Sequence, residues 1–159
     1  MKTTLYEVAR WAAALVALIS LIVMFSGNAI SDAEPAQVAE AVTQVIEMEN
    51  MLEGDNTMIK RFYGLDPSAY EACILYYPTT NMMAEELLIV KLRDVSQQET
   101  VRAAAEKRIA TQKTTFEGYG PEQFALLSDH SVVEVRGNYV LFVVNERSAA
   151  ARDAFLDAL

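Results

Sequence analysis

The chain has 159 residues and a net charge of −9, from 13 Lys and Arg against 22 Asp and Glu, with a hydrophobic content of 52%. A chain of this length builds one compact core, and its acid excess is a poor surface for phosphate backbones, so nucleic acid is not an expected partner. The single cysteine, Cys73, excludes an internal disulfide framework and a cysteine-based zinc site, and its place in the strand-like run EACILYYP gives it the role of a small apolar residue.

The charge is unevenly placed. Lys2, Arg10 and Glu7 are the only charged residues before Ser31, so the remainder holds 11 basic and 21 acidic residues, a net −10. Trp11 to Ile30, WAAALVALISLIVMFSGNAI, is an uncharged stretch of twenty residues, which as a helix reaches about 30 Å, the hydrocarbon thickness of a bilayer. Basic residues before it and acids after it predict a signal anchor over residues 1–30, with the N-terminus cytoplasmic and one extracytoplasmic domain over residues 31–159. Gly27-Asn28-Ala29 also offers a signal-peptidase cut after Ala29, which would release a secreted domain. The apolar run is long for a cleaved signal, which favours the single-pass anchor. With no cysteine near its end, lipid attachment is not expected.

Ser31-Asp-Ala-Glu34 reads as a capping box opening a helix that continues to about Leu52, with Gly54-Asp55-Asn56 ending it. Met58 to Tyr63 is a short helical turn closed by Gly64, and Asp66 or Ser68 caps another. Ala72 to Tyr77 and Glu86 to Arg93 read as the strands of a hairpin, the second with Leu88, Val90 and Leu92 on one face. Ser96-Gln-Gln-Glu99 is a second capping box, opening the longest helix, with Val101, Ala104, Ala105, Arg108, Ile109, Gln112 and Phe116 on a stripe. Pro121 opens a short helix through Leu127. Ser131 to Arg136 and Tyr139 to Asn145 flank Gly137-Asn138, a loop suited to a primed hairpin turn. YVLFVVN is apolar on both faces and belongs inside the sheet. Ser148 caps a final helix presenting Ala151, Phe155 and Leu159. The expected architecture is α+β, in the order αββαββα: a four-stranded, mostly antiparallel sheet of two hairpins packed against helices.

RFYGLD at residues 61–66 and the spacing Arg108-xxx-Gln112-xxx-Phe116-xx-Tyr119 carry a family likeness, as do Pro121-Glu122-Gln123, Leu126 and Gly137-Asn138-Tyr139-Val140. On these residues the chain resembles a bacterial family of unknown function, numbered 4358 and found mostly in Firmicutes, over about Val38 to Phe155. The resemblance implies an envelope protein held by an anchor or a lipid. It supplies no reaction and no catalytic residue.

No catalytic constellation stands out. Ser128-Asp129-His130 has the letters of a triad, but adjacent residues in a turn cannot adopt its geometry. Gly118-Tyr119-Gly120 lacks the third glycine and the preceding strand of a dinucleotide loop. Glu85 and Glu86 point to opposite sides of a strand and cannot share a proton. His130, the one histidine, falls in a loop, and the seven acids between Ser31 and Ile59 lack the spacing of a cation loop. No metal or cofactor is expected. The best candidates lie together on the long helix: Arg108 and Gln112, one turn apart, present donors that could meet a carboxylate or backbone carbonyls. Tyr119, Tyr76 and Tyr77 add amphipathic rings, so the five together could line a groove for a peptide or an envelope polymer. The alternative assigns Arg108 and Gln112 to pinning the fold and the tyrosines to the core. The function expected is a non-enzymatic, membrane-anchored binding module of the cell envelope, its partner an envelope protein or polymer. Two alternatives stay open: a cell-wall or metal-assisted hydrolase using dispersed carboxylates and Arg108, and an accessory subunit of a membrane complex.

Overall fold

A computed structural model describes residues 10, 11, 14–16 and 29–159. Most of the expected anchor Trp11–Ile30 lies outside the described residues, and among those described no helix is long and apolar enough to cross a membrane.

The architecture is α+β, but the sheet has five strands, in the spatial order β1-β2-β3-β5-β4, with every neighbouring pair antiparallel. Along the chain come α1 (Pro35–Thr43), β1 (Met51–Gly54), α2 (Asn56–Tyr63), β2 (Ala72–Pro78) and β3 (Glu86–Lys91). They are followed by α3 (Gln98–Phe116), α4 (Pro121–Asp129), β4 (Ser131–Arg136), β5 (Tyr139–Val144) and α5 (Ser148–Asp157). Both expected hairpins form, and β3 pairs with β5 to join them, Leu88 facing Phe142.

The alternation of side chains across the strands divides the core in two. On one face Leu75, Leu88, Val90, Val140 and Phe142 pack against α2, α3 and α4 through residues such as Ile59, Val101, Phe116 and Leu127. On the other, Leu87, Ile89, Tyr139, Leu141 and Val143 pack against α1 and α5 through Val38, Val42, Ala151 and Phe155. The interior strands β3 and β5 are buried along their whole length, as a sheet covered on both faces requires.

The first helix is shorter than expected. It stops at Thr43, and the residues expected to continue it contain β1, an edge strand pairing Leu52 with Tyr77. Val38, Val42 and Val45 keep helical spacing, but Val42, Thr43, Val45 and Ile46 are β-branched and stiff at χ1. Four residues with no alternation of their own, Met51–Gly54, become a strand by pairing with β2.

Three serines expected to cap helices do not. Ser31 sits three residues before the true N-cap, Glu34. Its amide donates to Asn138 Oδ1 (2.8 Å), its carbonyl accepts from Asn138 Nδ2 (3.1 Å), and its hydroxyl donates to the Leu159 carbonyl (2.8 Å). Asp94, not Ser96, opens the α3 region through a short 3-10 turn, accepting from the Ser96 amide while Gln97 Oε1 accepts from the Asp94 amide. Ahead of α5, Asn145 Oδ1 accepts from the Arg147 amide and the Asn145 carbonyl from Ser148. Only Gly137 of the β4–β5 turn has positive φ, at 54°, and a Cβ there would lie 1.8 Å from the Ala29 carbonyl oxygen.

Candidate functional site

β3 opens with Glu86, in phase with Leu88 and Val90 and therefore on the core side facing α2 and α3. Its side chain is fully buried, and three residues donate to it. The Tyr63 hydroxyl, from the end of α2, donates to Oε1. Arg108 straddles both oxygens, Nε at 3.2 and 3.1 Å and Nη2 at 2.8 Å from Oε2. Gln112, one helical turn on, donates Nε2 to Oε2 at 2.7 Å. The donors expected of Arg108 and Gln112 thus meet a carboxylate, that of Glu86, within the chain itself. The available signal was register: an acid two residues ahead of Leu88 and Val90 shares their buried side.

The network fixes each member. A carboxylate accepts only, so Gln112 must turn its amide nitrogen toward Glu86 and its oxygen away. That oxygen is buried with no hydrogen-bond partner. Burial, with the neighbouring Glu86 carboxylate, pushes the Tyr63 hydroxyl well above the usual tyrosine range, keeping it a donor. The Arg108 guanidinium lies over the Phe62 ring at 4.3 Å from its centroid, and Phe62 meets Tyr77 edge-on at 5.6 Å. Its remaining N–H groups have no acceptor among the described residues.

Above this network lies a groove of about 370 Å³. Arg61, Phe62, Arg108 and Gln112 form one side and Tyr77 with the segment 78–81 the other. Thr115 and Phe116 also line it, and no acid does. The loop from β2 to β3 is held where Gln123 Oε1 accepts from the Ala84 amide at 2.7 Å, a positioning role for the Gln of Pro121-Glu122-Gln123.

The five expected site residues divide. Arg108, Gln112 and Tyr77 line the groove. Tyr76 falls on the opposite face of the sheet, with the α1–α5 core, because successive strand residues alternate. Tyr119 is exposed and leans on Phe116 at 5.8 Å without lining the groove. Phe62 and Arg61, both within RFYGLD, take the places expected of the other tyrosines. Tyr63 of the same run reaches Glu86, Gly64 ends α2 at φ 69°, and Asp66 accepts from the Ser68 amide in the turn that follows.

Beside the groove, across Met83, a smaller depression of about 240 Å³ carries Glu47, Glu49, Glu85, Glu146 and Arg147. Among the described residues no group of three or more His, Cys, Asp or Glu is placed to hold a metal ion. His130 is exposed at the end of α4, where its amide donates to the Leu126 carbonyl. Cys73 packs half-buried against the core, and burial pushes its thiol up to about 11, the setting of an inert thiol.

No curated protein and no solved structure matches the chain. The family model described as domain of unknown function (DUF4358) matches residues 44–145, which take in Tyr63, Glu86, Arg108 and Gln112, and the chain belongs to that family.

Proposed function

We propose that the protein is a membrane-anchored, extracytoplasmic binding module, non-enzymatic, whose ligand site is the groove over Arg108. The observation that carries this reading is the way Glu86 is used. Its two oxygens accept from Tyr63, Arg108 and Gln112, leaving no free carboxylate at the groove to act as acid, base or nucleophile. What reaches the groove is instead a guanidinium fixed by its partners, aromatic rings, threonines and an asparagine, the mixture of apolar surface and few placed polar groups that binding clefts use. The hydrolase alternative requires a carboxylate there and finds none among the lining residues. The accessory-subunit alternative places function in the apolar segment rather than in the groove.

Two observations support the anchored orientation. Trp11, Leu15 and Val16 are exposed, an apolar surface that a bilayer would cover. The chain leaving that segment is bolted down at once, through Ser31 to Asn138 and Leu159 and through Ala33, whose carbonyl accepts from Tyr139 (2.5 Å) and Lys91 (3.2 Å). These contacts hold the end of the sheet that carries the β4–β5 turn and Lys91. The groove opens at the opposite end, beside Pro78 and Glu86. Six residues of strand separate the two ends, about 20 Å, so an anchored chain presents the groove away from the bilayer.

The test is site-specific photo-crosslinking of the full-length protein in its own membranes, from Thr80 on the groove rim and from Arg102 on the exposed side of α3. The reading expects a discrete adduct from Thr80 and none from Arg102. Equal adducts from both positions, or none from Thr80, would contradict it.

A further inference from the structure

We propose that the groove takes a singly charged oxyanion, a carboxylate or a phosphodiester, on the outer edge of Arg108; the inference rests on the groove being a ligand site. A guanidinium has two hydrogen-bonding edges, and Glu86 takes only the one formed by Nε and Nη2. The edge formed by Nη1 and the second Nη2 hydrogen is left, two parallel N–H groups suited to two oxygens of one anion. Among the described residues, the buried side-chain nitrogen and oxygen atoms without a partner are Glu85 Oε2 and Gln112 Oε1. Arg108 Nη1 is not one of them and makes no hydrogen bond to the described residues, so it is open to solvent. Glu86 along one edge and the Phe62 ring against one face, at 4.3 Å, fix the guanidinium plane. A donor pair already held in place loses little side-chain freedom when an anion arrives.

Charge sets the class of anion. Arg61 and Arg108 both line the groove and no acid does, in a chain with 22 acids against 13 bases. Arg61 is exposed and makes no ion pair among the described residues. Two arginines less the one carboxylate of Glu86 leave a net +1 at the groove, which one negative charge neutralises. A doubly charged phosphomonoester would be left with an excess charge facing Glu86. Across Met83 it would also meet the depression lined by Glu47, Glu49, Glu85 and Glu146. Acids farther away do not forbid a single anion, since charges beyond about 8–10 Å are screened at physiological salt. Phe62, Tyr77 and Phe116 supply apolar surface for the group that carries the charge.

The experiment is NMR titration of the isotope-labelled full-length chain in uncharged detergent micelles, following the Arg108 Nε–H resonance. Four probes that share one ring are compared at about pH 8, where a phosphomonoester carries close to two charges: phenylacetate, methyl phenyl phosphate, phenyl phosphate and the neutral phenylacetamide. Phenylacetate or methyl phenyl phosphate is expected to shift the resonance and to bind about tenfold more tightly than phenylacetamide. The tighter of the two names the source of the charge, and phenyl phosphate should bind no better than its methyl ester. Arg61→Gln should weaken the anion about threefold and leave the amide unchanged, and added salt should act in the same direction. Equal binding of anions and amide would overturn the oxyanion assignment and leave the groove standing as a ligand site. Tightest binding by phenyl phosphate would overturn the single charge, and undiminished anion binding by Arg61→Gln would overturn the part given to Arg61. No shift with any probe would also overturn the oxyanion assignment. A Thr80 crosslink would then keep the groove as a ligand site, and its absence would end both readings.

Discussion

Without Arg108, the Glu86 carboxylate would remain buried with only the Tyr63 hydroxyl and the Gln112 amide for partners. Breaking a buried pair from one side costs about 3–5 kcal/mol. Arg108→Met should therefore lower the unfolding free energy measured by urea titration by that much, whereas Glu86→Leu combined with Arg108→Met should cost less than the two single changes added together. Tyr63 gives a pH dependence of definite sign. Its folded-state pKa lies above the unfolded value of 10.0, so the unfolded chain gives up its proton first as pH rises. The stabilisation is full below pH 10 and declines above it. Tyr139, mainly through burial, and Lys91, through its hydrogen bond to Glu71, are shifted upward too and act in the same direction. The melting temperature should fall on going from about pH 9 to pH 11, and Tyr63→Phe should flatten that fall while itself costing about 1.5–3 kcal/mol for the lost hydrogen bond to a charged group. At this scale the sequence was half legible. Arg108 and Gln112 declare themselves by lying one turn apart on an apolar stripe, but their partner is 22 and 26 residues away and only strand register betrays it.

Elements that carry their own periodicity could be read from the chain. The two hairpins alternate, α3 repeats at three and four residues, and each was placed within two residues or so of its observed bounds. β1 could not be read, because Met51–Gly54 becomes a strand only through its pairing with β2, and nothing in those four residues separates it from the helix before. The caps misled for a related reason. Ser31 has the spacing of a capping box, yet its hydroxyl finds the carbonyl of Leu159, 128 residues on. Asp94 supplies a carboxylate acceptor two residues ahead of the serine that the pattern selects. The strap from Ser31 to Ala33 is a separate element with its own test. Asn138→Ala removes both reciprocal bonds to Ser31, a loss of about 1–3 kcal/mol at about 0.5–1.5 for each bond. Hydrogen exchange should then quicken at residues 31–38 while the Glu86 network, at the other end of the sheet, keeps its protection.

For the whole molecule, the account joins a docked N-terminal strap at one end of a five-stranded sheet to a ligand groove at the other. Replacing Trp11–Phe25 by an unrelated transmembrane sequence should leave binding at the groove unchanged, measured as the Thr80 crosslink in membranes; its loss would move function to the apolar segment. The central claim, that the groove over Arg108 is occupied by a ligand where the protein works, is tested most directly by hydrogen exchange of the full-length chain in its own membranes and after purification. Slower exchange in the native membranes is predicted at the loop residues 79–83, with the residues of α5 unchanged. Identical exchange at residues 79–83 in the two settings would contradict the claim.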